Sequence, residues 1–150
     1  MNSDLESIQI VWLKRDLRLE DHPPLTHALK SGRRVLLLFV FEKLLLEDPH
    51  YSPRHIYFIK QSICALNEQL KAFNSKILTT QGQIISALES LSQKYQIEKI
   101  WAHQETGVMS TYHRDLTLIK WCQKEKIPFE EKLQQGVFRG LKNRVQWLKK

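Results

Sequence analysis

The sequence predicts an α/β fold, a Rossmann-like open sheet of five parallel strands in the order 3-2-1-4-5 with helices on both faces. Two observations lead to this prediction. Short apolar segments alternate with longer amphipathic segments along the chain, and each connection is long enough for a helical crossover between parallel strands. The most apolar segment, 35–41, contains no polar residue, which is typical of a strand that is covered on both faces.

Each element has its own signal in the sequence. Strands are predicted at 8–13, 35–41, 76–80, 99–102 and 128–131, and helices at 23–30, 53–73, 83–95 and 110–126. Proline in the first turn and a glycine just beyond the end delimit the first helix, and Ser52 is the expected N-cap of the second. That helix carries apolar residues at spacings of three and four, which predict one stripe facing the sheet: Ile56, Ile59, Ile63, Leu66, Leu70 and Phe73. Leu116 and Ile119 are expected to point inward from the last helix, and 42–51 is expected to be a loop.

The composition is that of an ordinary globular domain. The chain has 150 residues, of which 42% are hydrophobic and 26% charged. No apolar run has the length of a membrane span, and the first residues lack the pattern of a secretory signal. We therefore expect a cytoplasmic protein without a membrane partner. Cys64 and Cys122 lie in helical patterns and are expected to be small buried thiols in a reducing compartment.

The positive charge is concentrated at the end of the chain. The formal net charge is +7, and residues 132–150 contain six basic and no acidic residues. We therefore predict an α/β domain at 1–131 followed by a basic linker at 132–150, with one or two amphipathic helical turns near 142–150. This basic segment favours either a nucleic-acid contact or a solvated linker that docks on another domain, and the sequence leaves both open.

The predicted site lies at the carboxyl edge of the sheet. In an open parallel sheet, ligands bind beyond the carboxyl ends of the strands where the strand order reverses, here between strands one and four. Two polar segments, 14–21 and 103–107, directly follow those strands. Arg15 and Arg18 can each bind a carboxylate or phosphate in bidentate fashion, and Asp16 can orient one of them. The alternative is an Arg/Asp network that only fixes the loop.

The second polar segment supplies further candidates. A buried Glu105 can accept N–H donors from a heterocycle, or it can simply complement the dipole of the following helix. Thr106 is placed to cap that helix, and Gly107 is placed to adopt a left-handed turn. Arg54 puts a positive charge in the first turn of the long helix, where the dipole disfavours it, and this suggests a tertiary partner.

Several chemistries have no signal in the sequence. There is no glycine-rich phosphate-binding motif and no Gly-x-Ser-x-Gly motif. The six histidines and two cysteines show no metal-ligand spacing. We predict neither catalytic residues nor metal ligands in this chain.

The segment from Trp12 to Leu25 resembles the opening of the photolyase/cryptochrome family. In that family a first strand leads into Trp/Phe-x-(Arg/Lys)-Arg-Asp-Leu-Arg-x-x-Asp-x-Pro-x-Leu, and this chain reads Trp-Leu-Lys-Arg-Asp-Leu-Arg-Leu-Glu-Asp-His-Pro-Pro-Leu. Further similarity occurs at 52–54, 103–107, 112–115 and 135–139, so the resemblance covers essentially the whole chain.

The resemblance implies a two-domain protein. In the family, an N-terminal α/β domain can hold an antenna pterin (methenyltetrahydrofolate) or a deazaflavin, and a helical domain holds FAD and carries out DNA repair or signalling. This chain is similar to the first domain and the start of the linker. FAD is therefore expected only in the helical domain, which is the expected partner in the same or a separate chain, and any contact with DNA is expected to be indirect.

The resemblance also suggests roles for individual residues. It places Arg15, Asp16 and Arg18 near the domain interface. The loops that contain Phe41 and Glu42, Ser52 to Arg54, and Glu105 to Gly107 are expected to frame the antenna pigment. The Glu-Thr-Gly sequence departs from the better-known pterin-binding pattern, so the identity of the pigment stays open. The alternative function is a non-catalytic module that binds a nucleotide-like ligand or a protein in the same cleft.

Overall fold

The computed structural model describes residues 5–49 and 51–134. Three predictions therefore fall outside the described residues: the basic linker beyond Gln134, the family-like segment 135–139, and the amphipathic turns at 142–150. The division into domains at residue 131 likewise stays a prediction.

The described chain alternates strands and helices in the predicted order. Its elements are β1 (Glu6–Leu13), α1 (Pro23–Lys30), β2 (Arg34–Glu42), α2 (Lys43–Leu46), α3 (Pro53–Leu70), a 3₁₀ turn (Lys71–Phe73), β3 (Leu78–Gly82), α4 (Ile84–Ser92), β4 (Tyr95–His103), α5 (Met109–Glu125) and β5 (Phe129–Lys132). The strands form one parallel sheet in the order β3-β2-β1-β4-β5. The predicted fold class and strand order are confirmed.

A hydrophobic core lies on each face of this sheet. Because successive residues of a strand point to opposite faces, β1 contributes Ile10 and Trp12 to one core and Val11 and Leu13 to the other. The first core packs against α4 and α5, and the second against α1 and α3. Gln9 is the polar exception inside β1, and its side-chain oxygen accepts a 2.7 Å hydrogen bond from the indole of Trp101. The helices thus cover both faces and leave the carboxyl edge accessible.

Several predicted boundaries were wrong. Strand β4 begins at Tyr95 and not at Lys99, and α4 ends at Ser92 and not at Tyr95. The segment 42–51, expected to be a loop, contains the short helix α2. Strand β3 begins two residues later than predicted and ends at Gly82. The reason is local: Ile77 is buried, and its N–H donates to the side chain of Asn67 at 2.8 Å instead of joining the sheet.

Three predictions of burial were also wrong. The stripe on α3 ends at Leu70, so Phe73 in the following 3₁₀ turn is 76% exposed. On α5 the inward residues are not Leu116 and Ile119; they are Thr111, Asp115, Leu118 and Cys122. Cys64 is exposed, whereas Cys122 is buried as predicted. Within the described part of the chain, no helix has both the length and the apolar character needed to cross a membrane.

Candidate functional site

A network of buried charged side chains occupies the carboxyl edge of the sheet. Lys14 directly follows β1, Glu42 ends β2, Glu105 follows β4, and Arg114 and Asp115 lie near the start of α5. All five side chains are 8% exposed or less. They meet because parallel strands end at the same edge and α5 begins there.

Arg114 is the centre of this network. Its guanidinium contacts Glu42, lies 2.9 Å from Glu105 Oε2 and 2.8 Å from Asp115 Oδ1. The ammonium of Lys14 lies 2.5 Å from Asp115 Oδ2 and donates to the carbonyl of His103 at 2.8 Å. The half-exposed Arg15 adds a contact to Glu105. Three carboxylates therefore face three cations, and formal charge balances within the network.

Burial and ion pairing shift the pKa values of Glu42 and Arg114 in opposite directions. Burial raises the pKa of Glu42, and the positive charge of Arg114 offsets this effect only in part. Burial alone lowers the pKa of Arg114, but the charges of Glu42 and Asp115 outweigh it and raise that pKa. Arg114 therefore stays charged, and the buried carboxylates depend on it for compensation.

A second buried cluster contains Asp16, His22 and His103. The backbone N–H of Lys14 donates to Asp16 Oδ1 at 2.7 Å, His103 Nδ1 contacts Oδ2, and His22 Nε2 lies 2.8 Å from Oδ2. Burial raises the pKa of Asp16, but hydrogen bonds from His103 and His22 outweigh it and hold that pKa far below the usual range. Asp16 thus positions two histidines, and the prediction that it orients an arginine was wrong.

These three side chains are close enough to hold a metal ion, since one ligand atom of each lies within 4.8 Å of the others. The hydrogen bonds favour a different arrangement. His22 Nδ1 accepts from the N–H of Leu25 at 3.2 Å and so caps α1. That bond uses the lone pair of Nδ1, so the neutral ring carries its proton on Nε2, the atom that lies 2.8 Å from Asp16 Oδ2, and a metal ion at Nε2 would have to displace this proton. We interpret the cluster as a hydrogen-bonded carboxylate that joins β1, α1 and β4.

Both arginines of the first loop have partners among the described residues. Arg15 contacts the carboxylate of Glu105, as described above. Arg18 Nε donates to the carbonyl of Asp21 at 3.1 Å, and Asp21 has a positive φ of 47°. Arg18 therefore stabilises the turn that leads into α1.

The loop after β4 differs in two respects from the prediction. Thr106 is exposed and the N-cap of α5 is Val108, so Thr106 does not cap the helix. Gly107 does not adopt a left-handed conformation. Its backbone N–H donates to Glu105 Oε1 at 2.7 Å, and a Cβ at this position would come within 2.7 Å of that oxygen and closer still to Arg15. An alanine at this position would therefore force the side-chain ends of Arg15 and Glu105 to move.

The remaining predicted residues lie on two other elements. Phe41 is half-buried near the end of β2 and packs edge-on against Phe39, with ring centroids 4.9 Å apart. Arg54 is exposed in the first turn of α3 and forms no ion pair with a residue of 5–49 or 51–134. The structure does not bring Arg54 to the buried network, so its role in binding stays a prediction.

Open volume lies beside the network. A cleft of about 480 Å³ is formed by the residues after β2, the start of α4 and the first turns of α5. A smaller void of about 60 Å³ lies between Arg15, Glu42, Tyr51, Glu105, Val108 and Arg114. The predicted crevice between β1 and β4 is therefore filled by ion pairs. The cleft of about 480 Å³ lies instead beyond the ends of β2 and β3.

Five residues of the two clusters lie in segments singled out from the sequence but were not selected individually, namely Lys14, His22, His103, Arg114 and Asp115. Besides the family-like segment 112–115, the helical spacing carried a signal: Asp115 shares it with the buried residues Thr111, Leu118 and Cys122. An acidic residue within an inward-facing stripe indicates a buried partner of opposite charge.

Residues 9–139 match the model of the DNA photolyase family. The chain belongs to this family. Its curated relatives in the family include the cryptochrome DASH of Synechocystis sp., which is 30% identical over 101 residues, or 64% of this chain and 21% of the relative. A deoxyribodipyrimidine photo-lyase of Alkalihalophilus pseudofirmus is 29% identical over 134 residues, covering 85% of this chain and 26% of the relative. The photolyase-family chain described here thus spans only about a quarter of the length of these relatives.

Solved structures of the photolyase family share the fold. The structure of a Synechocystis sp. cryptochrome superimposes with a TM-score of 0.79 at 25% identity, covering 86% of this chain and 28% of that one. An archaeal photolyase from Sulfolobus tokodaii, solved with two FAD molecules and an implied novel light-harvesting cofactor, superimposes with a TM-score of 0.77 at 22% identity. It covers 95% of this chain and 34% of the other. The second likeness concerns the fold alone.

Proposed function

We propose that this chain is the chromophore-binding α/β domain of a photolyase or cryptochrome. In this proposal it holds a light-harvesting pigment and supports an FAD-binding helical domain, which carries out light-driven DNA repair or blue-light sensing. The observation that carries the proposal is the cleft of about 480 Å³ at the carboxyl edge of the sheet. Its volume falls in the range of about 300–1,000 Å³ that is usual for sites that bind small molecules and cofactors.

The walls of the cleft suit a flat heterocycle. Leu44, Ile84 and Ile85 provide apolar surface, and Gln83 and His113 provide hydrogen-bonding groups at the rim. Methenyltetrahydrofolate and a deazaflavin both have a planar ring system with N–H and C=O groups, so either is a candidate. FAD is a third candidate, because the Sulfolobus tokodaii relative was solved with two FAD molecules.

The predicted binding residues have different roles in this proposal. Glu42 borders the cleft directly. Arg15 and Glu105 border only the smaller void, so we assign them the positioning of Arg114 and of the loop after β4. Four residues stay candidates for the rim of the pigment site: Phe41, Arg54, Thr106 and Gly107. Two others, Asp16 and Arg18, stay candidates for the region near the helical domain.

The absorption spectrum of the purified chain tests the pigment directly. We expect a near-UV or visible band that is released on denaturation, or one that forms on titration with methenyltetrahydrofolate, a deazaflavin or FAD. Ile85→Trp should abolish the band because the larger side chain fills the cleft. Leu29→Trp is the matched control, since Leu29 is 60% exposed on α1 and lies outside the cleft.

Two outcomes would reject the antenna role. One is that none of the three compounds binds. The other is that Ile85→Trp binds as well as the control variant. Stabilisation against heat by a nucleotide without any pigment would instead support the non-catalytic module. The supporting role is tested by mixing the chain with a separately expressed helical domain: without complex formation or light-dependent repair of damaged DNA, that part of the proposal fails.

A further inference from the structure

The two edges of the sheet differ in how they are protected. Edge strands expose unpaired backbone N–H and C=O groups, and proteins commonly block them with charged residues or proline. Strand β5 has three charged residues out of four, and Glu130 lies 2.5 Å from both Lys99 and Lys132. Strand β3, Leu78–Gly82, has no charged residue and no proline. Among the described residues, β3 pairs only with β2.

We infer that the edge of β3 that no described strand covers pairs with β3 of a second copy of this chain. The two strands would run antiparallel around a two-fold axis at Thr80 and join two five-stranded sheets into one of ten strands. This self-association is distinct from the proposed pigment site and does not depend on it.

The sequence of β3 is complementary to itself in this arrangement. Thr80 faces its own copy, and Thr–Thr is a favourable cross-strand pair. Thr79 faces Gln81, which pairs a hydroxyl with an amide. Leu78, which is 38% exposed, faces Gly82, and no atom lies within 4 Å of the position of a Cβ on Gly82. No pair brings like charges together.

The surface beside β3 leaves room for the second copy. A groove of about 380 Å³ lies between β3 and α4. It is lined by Leu91 and Lys94 and by the small residues Ser86, Ala87 and Ser90 of α4. These small side chains do not obstruct a strand that approaches the edge. At the opposite edge, an antiparallel self-pairing centred between Glu130 and Glu131 would place these two carboxylates opposite one another, which is unfavourable.

The predicted interface is small. A pair of five-residue strands with its flanking side chains falls below the ~1,200 Å² of a stable interface. The dimer should therefore be reversible, with a dimer fraction that rises with protein concentration.

Sedimentation velocity of the full chain, from dilute solution to the solubility limit, tests this inference. We expect Thr80→Lys and Thr80→Glu each to abolish dimerisation, because each places like charges opposite one another at the two-fold axis. An equimolar mixture of the two variants should dimerise again, since the facing charges are then opposite. Thr26→Lys, on the exposed side of α1, is the matched control and should dimerise like the unmodified chain.

Two results would overturn the inference. One is a chain that stays monomeric at every concentration. This would also be the result if another segment of the same chain paired with the edge of β3. The other is a dimer that persists in Thr80→Lys, since this would place the contact elsewhere. Circular dichroism of each variant shows whether it is folded. Dimerisation of the mixture shows that β3 of both variants can still pair.

Discussion

Replacing Arg114 by methionine should be the most damaging single change at the carboxyl edge. The guanidinium is 8% exposed and contacts three carboxylates, those of Glu42, Glu105 and Asp115. Methionine keeps most of the apolar stem but leaves these carboxylates without their main counter-charge. Removing one partner of a buried ion pair costs about 3–5 kcal/mol. Since a domain of this size is stable by about 5–15 kcal/mol, Arg114→Met should lose a large part of its free energy of unfolding.

The loss should depend on pH in a defined direction. The pKa of Glu42 is already raised by burial, and removal of Arg114 raises it further. A carboxyl group whose pKa is raised in the folded state contributes stability at low pH and loses it as pH rises through the folded-state pKa. The difference in free energy of unfolding between Arg114→Met and the unmodified chain should therefore be largest at neutral pH and shrink as the pH is lowered towards 5.

Urea unfolding followed by circular dichroism, at neutral and at mildly acidic pH, measures this difference. Arg33→Met is the matched control, because Arg33 forms a 3.4 Å pair with Glu98 but is 59% exposed. Such a surface pair is worth about 1 kcal/mol or less. Arg114→Lys, which retains a positive charge, should lose less stability than Arg114→Met. The reasoning is refuted if Arg114→Met is no less stable than Arg33→Met, or if its deficit grows as the pH falls.

Three further predictions concern individual residues. Asp16→Asn should lower the free energy of unfolding by about 1.5–3 kcal/mol near neutral pH, the value of charged hydrogen bonds. Because the pKa of Asp16 is depressed in the folded state, this deficit should begin to shrink as the pH falls below about 4, where Asp16 of the unfolded chain takes up a proton, and it should be lost fully only at much lower pH; unfolding curves recorded below pH 4 would show it. Gly107→Ala should displace Arg15 and lower the melting temperature, by an amount equivalent to about 0.5–3 kcal/mol; an unchanged melting temperature would show that the loop adapts freely. A thiol reagent should modify Cys64 rapidly in the native protein and Cys122 only after unfolding, since burial raises the pKa of Cys122 to about 11; equal rates would contradict this.

The strand order could be predicted from the sequence because it depends on long-range regularities. Uninterrupted apolar strands such as 35–41 and the long connections between them point to a doubly covered parallel sheet. The resemblance of the segment after β1 to the photolyase/cryptochrome family was equally informative. These signals are spread over many residues, so small errors at the boundaries of β3 and α4 did not affect them.

The partners within the site could not be predicted in the same way. Asp16 was expected to bind an arginine, but the fold places His103, 87 residues away, against it. Likewise Glu42 and Arg114 are 72 residues apart and meet only when β2 and α5 converge. Sequence pattern reveals which residues are charged and which elements they follow, whereas pairing depends on distances between elements. Leu116 shows the same limit, because apolar character alone chose the wrong face of α5.

The residues that fill the crevice between β1 and β4 contribute to stability, and they differ from the residues at the rim of the open cleft. The charged side chains that join β1, β4 and α5 satisfy one another, whereas Lys43, Gln83 and His113 at the rim of the open cleft lie outside that closed set. Rim positions are therefore open to substitution without loss of the supports beneath them. Under the proposed function, a few substitutions at the rim would change which heterocycle the cleft accepts, and Lys43, Gln83 and His113 are the positions at which to begin.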